Sequence, residues 1–195
     1  MSKHPVGLLC VLLLAITLVG PSLLAEDKAK SVEVKAGDLT LQLPASWKAS
    51  EPTSRLRLAQ FAIPAVGGDK LDGEMVVYFF GGSGGGVDAN LRRWIGQFQA
   101  KGRKAITLAG NAEQGQYVLA DVKGTYNMPV GPPIQRKTRP TPGSRMLAVV
   151  LNIKGKGNYF LKLTGPEKTV TAASKALRTA IGASADKEKP YKLEN

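Results

Sequence analysis

The chain has 195 residues, a formal net charge of +12 from 27 Lys and Arg against 15 Asp and Glu, and 43% hydrophobic residues. That size supports one domain or at most two small ones, and that hydrophobic share supports a packed core rather than wholesale disorder. The one cysteine, Cys10, and the one histidine, His4, both fall in an N-terminal leader; with the leader removed, disulfide frameworks, Cys/His zinc sites, Cys nucleophiles and His-based triads are all excluded.

Residues 1–25 run from one basic residue, Lys3, through an apolar stretch, residues 6–19, to Gly20-Pro21 and then Ser22-Leu23-Leu24-Ala25. This is the order of a secretory signal, and cleavage is expected near Ala25. The apolar stretch is shorter than the roughly 20 residues a membrane span needs. Cys10 lies too early in it to be a lipid-bearing cysteine at the cut. The expected product is therefore exported, periplasmic or extracellular, and not an integral membrane protein after cleavage.

Residues 26–37 are polar and charged and are expected to form a flexible arm, with Val32 and Val34 the candidates for a short strand. Leu39-Thr40-Leu41-Gln42-Leu43 alternates apolar and polar as a half-buried strand does, and Pro44-Ala45-Ser46-Trp47 ends it. Residues 55–63 predict a second strand, stopped by Pro64, and residues 66–73 a turn. Residues 74–80 are apolar on both faces, as in a central strand covered on both sides. After the glycine loop 81–86, Asp88 is the expected N-cap. Leu91, Trp94, Ile95 and Phe98 then fall on one face of an amphipathic helix.

Residues 105–109 and 116–126 predict two strands joined around 111–115. Residues 128–143 contain five prolines and are expected to be an exposed loop. Residues 146–153 and 159–164 predict a hairpin turning at 154–158. Gly165-Pro166-Glu167 opens a last helix, with Pro166 at or near its first residue and Val170, Ala173, Leu177 and Ile181 as its apolar stripe. A charged tail, residues 183–195, closes the chain. Hairpin links dominate and the βαβ rhythm is missing. The prediction is α+β, an antiparallel sheet flanked by helices, in one domain over residues 38–182.

Five features in this order resemble the PsbP/Mog1-like sandwich family, above all its secreted, uncharacterised bacterial members. They are the strand 39–43 with Pro44-x-x-Trp47, the strand 74–80, the helix 88–100, Gly124-x-Tyr126 with its Pro-rich loop, and Tyr159-Phe160-Leu161-Lys162-Leu163-Thr164-Gly165-Pro166. The resemblance implies an antiparallel sheet flanked by helices and non-enzymatic work as an extrinsic subunit, adaptor or docking module. Photosynthetic members are linked to manganese and calcium. Metal-ligating histidines cannot be carried over to a mature chain that has none.

Motifs for chemistry fall short one by one. Gly81-Gly82-Ser83-Gly84-Gly85 has the strand-to-helix context of a hydrolase elbow, but no histidine remains to take the Ser83 proton. Gly84-x-Gly86-x-x-Ala89 fits the loose dinucleotide fingerprint without the parallel βαβ unit it needs. Asp69, Asp72 and Glu74 cluster around a turn without calcium-loop spacing. Ser184-x-x-Lys187 lacks the partner motifs of a Ser/Lys nucleophile. No cofactor, metal or catalytic residue is assigned.

Arg136, Lys137, Arg139 and Arg145 flank Pro140 and Pro142, and stiff proline segments with arginines suit docking on carboxylate or phosphate. They are the candidate partner-binding residues. The excess of positive charge suits an acidic protein surface or an anionic envelope component. Nucleic acid is not expected, because export and the lack of aromatic–basic interleaving both argue against it. The expected function is thus a non-catalytic binding or accessory protein, a monomer. The alternatives are an electrostatic binder of acidic envelope polymer or membrane surface and, third, a histidine-free enzyme that would need a carboxyl or Lys of strongly shifted pKa in a cleft.

Overall fold

Alternation shapes the first strand pair: Leu39, Leu41 and Leu43 are buried while Gln42 between them is exposed. In the computed structural model, which describes residues 30–81, 84–131 and 133–194, this segment is strand β2 (Leu39–Pro44), paired antiparallel with β1 (Ser31–Ala36). The expected leader, residues 26–29 and Asn195 lie outside the described residues. The remaining strands are β3 (Lys48–Ser50), β4 (Arg57–Ile63), β5 (Gly73–Phe79), β6 (Lys104–Ala112), β7 (Gly115–Pro129), β8 (Thr138–Ile153), β9 (Gly157–Pro166) and β10 (Lys189–Pro190). Two α-helices interrupt them among the described residues, α1 (Val87–Ile95) and α2 (Glu167–Ala180).

One eight-stranded sheet, wholly antiparallel, holds the order β10-β6-β7-β8-β9-β5-β4-β3. The architecture is α+β, a single domain, as the hairpin links predict. One face of the sheet is covered by α2 and the β1–β2 hairpin. There Leu41 and Leu43 of the hairpin and Val170 and Leu177 of α2 share a core with Leu147 and Leu161 of the sheet. The opposite face is covered by α1: Leu91, Trp94 and Phe98 pack on Val122, Met146 and Phe160. α1 is short, so it covers only part of this face.

Several expectations need correction. The stretch 26–37, expected as an arm, contains β1, because Val34 and Ala36 pack against the hairpin core. The proline-rich stretch 128–143 is not a free loop: β7 and β8 pair out to Pro129 and Thr138. Beyond Gly124 and Ser144 these two strands leave their sheet neighbours and run on as a two-stranded ribbon. The segment after α1 bridges the outer edge of β7 only at residues 125–127, so the missing N–H of Pro129 or Pro140 breaks no further ladder. Only its tip, with a 3-10 turn at Pro133–Gln135, is irregular.

The tail is also fastened. β10 pairs with β6, and Arg178 of α2 makes a bidentate pair with Glu188 at 2.7 and 2.8 Å. Gly86, not Asp88, is the N-cap of α1, and Pro166 caps α2 from just outside it. Asp88 sits in the first turn of α1, where its carboxylate accepts hydrogen bonds from the Tyr191 hydroxyl and the Glu194 amide. Phe98 packs where its spacing predicts, although α1 has ended at Ile95.

Candidate functional site

Strand β9 alternates Phe160, Lys162 and Thr164 onto the face that α1 shares, at the centre of the sheet. Across the ladder, Lys162 stands opposite Val76 of β5 and Ala148 of β8. These small or apolar neighbours leave space above the sheet, and Lys162 reaches through it. Its ammonium donates to Gln97 Oε1 at 2.6 Å and to the Tyr126 hydroxyl at 3.0 Å. Gln97 is held in place by the turn after α1, where its carbonyl accepts from the Asn127 amide.

A cavity of about 530 Å³ opens over this lysine. Tyr126, Met128 and Pro129 of the ribbon wall one side, and Arg57, Glu74 and Tyr78 another. Gly124 permits this: with φ near 145° it sits at the irregularity where β7 leaves its register with β8. A smaller hollow of about 240 Å³ adjoins, sharing Tyr78, Gln97 and Lys162 and adding Trp94, Phe80 and Leu56. Phe80, Leu56 and Leu71 are large apolar side chains left exposed around the rim.

Burial dominates the electrostatics of the cleft. Desolvation draws the Lys162 ammonium down to about 8, helped by the nearby cations Arg57 and Arg93 and opposed by Glu74. The Tyr126 hydroxyl is pushed up to about 12, first by burial. Tyr78 is raised, again by burial first. Arg57 is tied to Glu74 at 3.0 Å and to Gln60 at 2.7 Å through one guanidinium nitrogen. Near neutral pH Lys162 is therefore mostly charged, with a small fraction of free amine. It can donate to an anion, and the neutral fraction can act as a nucleophile.

The four candidate cations from the sequence do not form one site. Arg136 and Lys137 lie at the ribbon tip and line a separate hollow beside Gly96 and Asn127. Arg139 is exposed on β8, its guanidinium 3.9 Å from Met128 Sδ. Arg145 is on the other face of the sheet. It pairs bidentately with Asp121 at 2.9 and 2.6 Å and donates to Thr171 Oγ1 of α2.

The other motifs resolve into local structure. Ser83 lies outside the described residues. Gly84 has φ near 58°, and a Cβ there would stand 2.6 Å from the Phe160 ring, so close packing accounts for this glycine. β5 and β6, which flank α1 in sequence, are separated in the sheet by β9, β8 and β7, so they do not form a βαβ unit with it. Asp69 accepts from the Thr169 amide and hydroxyl, Asp72 from the Ala65 amide, and Glu74 pairs with Arg57. The Ser184 hydroxyl donates to Asp186.

Searches against protein-family models and against curated proteins return no match to this chain. The site therefore rests on its own geometry. Sequence reasoning passed over Lys162, Arg57, Gln97, Tyr78 and Tyr126. One signal was available: a lysine inside the string Tyr-Phe-Leu-Lys-Leu-Thr, beside a strand expected to be covered on both sides.

Proposed function

We propose that this chain is an exported, non-catalytic binding protein of the PsbP/Mog1-like sandwich type, and that its ligand or partner group docks in the Lys162 cleft. The observation that carries this reading is the half-buried ammonium at the floor of an open cavity, with Arg57 and two tyrosines beside it. A sheet with helices on both faces is compatible with that family, and an acidic partner suits both the net charge of +12 and the cations in the cleft. A desolvated charge at the floor of an open cavity suits a ligand that needs it.

The test is capture from an envelope fraction of the source organism, at low and high salt. The bait is the mature domain from Glu26, compared with Lys162→Met, Arg57→Gln and an Arg136→Glu/Lys137→Glu variant. Recovery of one species that survives high salt and is lost with the Lys162 and Arg57 variants supports the cleft. Loss with the ribbon-tip variant alone moves the site to the tip. Broad recovery of acidic polymer or lipid, abolished by salt and indifferent to Lys162, would make the overall charge the function instead.

One observation favours a second reading. Lys162, with its lowered pKa, is the kind of group a histidine-free enzyme would require. The neutral amine would add to a carbonyl carbon, its two protons would leave with the oxygen as water, and an imine would remain. Incubation with an aldehyde and borohydride would trap a covalent adduct on Lys162 if this reading holds, and no adduct would set it aside.

A further inference from the structure

We propose that the Lys162 cleft binds an amphipathic small-molecule carboxylate, its head on Lys162 and Arg57 and its apolar chain along Leu71, Met128 and Pro129. This deepens the cleft reading and rests on it. The cleft is of ordinary ligand-site size, and its walls are divided by chemistry. The ribbon side and the exposed rim are apolar, while the sheet floor carries the charge.

The charge balance selects one negative charge. Lys162 of β9 and Arg57 of β4 line the cavity and Arg93 of α1 lines the adjoining hollow, against Glu74 of β5. Asp72, in the turn before β5, also lines the cavity, but its carboxylate accepts from the Ala65 amide. Arg93 is engaged with Asn90, and Arg57 shares one nitrogen with Glu74 and Gln60. Hydrogen bonds to neutral groups cancel no charge, so three cations against the two carboxylates Glu74 and Asp72 leave a surplus of one positive charge. An ammonium has three donors, and two point at Gln97 and Tyr126. The third and the unused edge of the Arg57 guanidinium are the donors a carboxylate would take. The Tyr78 hydroxyl, which bonds to no other described residue, adds one more.

A dianionic head such as a phosphate monoester would want a second uncompensated cation or a nest of backbone N–H groups, and Glu74 already consumes part of Arg57. A cation would meet the surplus of like charge. A neutral alcohol could accept the third N–H but would bring no counter-charge to the desolvated ammonium, so it binds more weakly.

Trp94 lines the hollow that adjoins Lys162, whereas Trp47, the other tryptophan, lies in the core on the opposite face. Trp94 fluorescence therefore reports occupancy. Decanoate, decanol and decylamine are titrated into the wild-type domain, Lys162→Met and Arg57→Gln, each checked by thermal melting. The expected result is saturable binding of decanoate, at least about tenfold weaker binding of decanol, no binding of decylamine, and a loss of about tenfold or more for decanoate in Lys162→Met. Decanoate affinity should hold level between about pH 6, where its carboxylate is ionised, and about pH 8, and fall above that as Lys162 gives up its proton. If Lys162→Met does not fold, Arg57→Gln and the pH profile carry the test.

Equal binding of decanol and decanoate, or decanoate binding that ignores both substitutions, overturns the carboxylate assignment. So does the absence of any saturable signal. If capture from the envelope fraction still depends on Lys162 in that case, the cleft stands and only the ligand class falls. If capture is also indifferent to it, the cleft reading falls too.

Discussion

Two half-buried cations show opposite uses of charge. Lys162 has an ordinary value near 10.4 in the unfolded chain and about 8 in the fold. Between those limits the unfolded chain keeps a proton that the folded chain has released, so stability rises as pH climbs from about 8 toward 10. Above about 10 the sign reverses, because Tyr126, pushed up to about 12, holds its proton in the fold longer than in the unfolded chain. Lys162→Met should be more stable than wild type at neutral pH, by about 1–3 kcal/mol, and should lack the rise toward pH 10. Denaturant titrations across that range measure both. Arg145 behaves differently: its carboxylate partner Asp121 is only 12% exposed. Arg145→Ala strands that charge and should cost about 3 kcal/mol, part of which an added Asp121→Ala should restore, as chemical denaturation would show. Arg145 was legible as a cation and misleading as a site, since sequence carries no sign that Asp121 waits across the ladder. Lys162 was illegible for a related reason. At an alternating polar position a lysine reads as solvated, and only Gln97 and Tyr126, from distant segments, close over it.

Elements that alternate were readable, and elements held by one distant contact were not. β2, β5 and the β8–β9 hairpin follow their apolar patterns closely. The β7–β8 ribbon tolerates its prolines because β6 and β9 end before it and the segment after α1 bridges β7 only at residues 125–127, so that Pro129 and Pro140 face no third strand. β10 is only two residues long and owes its place to the clasp just before it. Glu188, whose side chain is 3% exposed, accepts from Arg178 through both oxygens and from the Tyr117 hydroxyl. Glu188→Ala leaves a guanidinium and a phenol without their acceptor. It should lower stability by about 3 kcal/mol and release β10, so the amides of β6 should exchange faster by mass spectrometry than those of β7.

The whole molecule is a three-layer stack with unequal covers. α2 and the β1–β2 hairpin close one face, and α1 closes part of the other and leaves the cleft. β8 and β9 lie in the middle of the sheet with buried residues in unbroken runs, so their amides should exchange only through global unfolding, while β3 and β10 at the edges exchange by local opening. Hydrogen exchange resolved by residue checks this, and fast exchange in β9 would mean that the cleft floor opens on its own. The layer order was legible because each helix carries one apolar stripe; the size of the uncovered area was not, because it depends on α1 ending at Ile95 rather than running on to residue 100. The fastening of the C-terminal segment has a practical side. The Tyr191 hydroxyl and the Glu194 amide both hold Asp88 in the first turn of α1, and Gln97 follows that helix directly. A purification tag or fusion joined after Asn195 would hang from that knot and tug on the helix whose far end positions Gln97. Immobilising the protein through its N-terminal side keeps a binding assay from reporting its own handle.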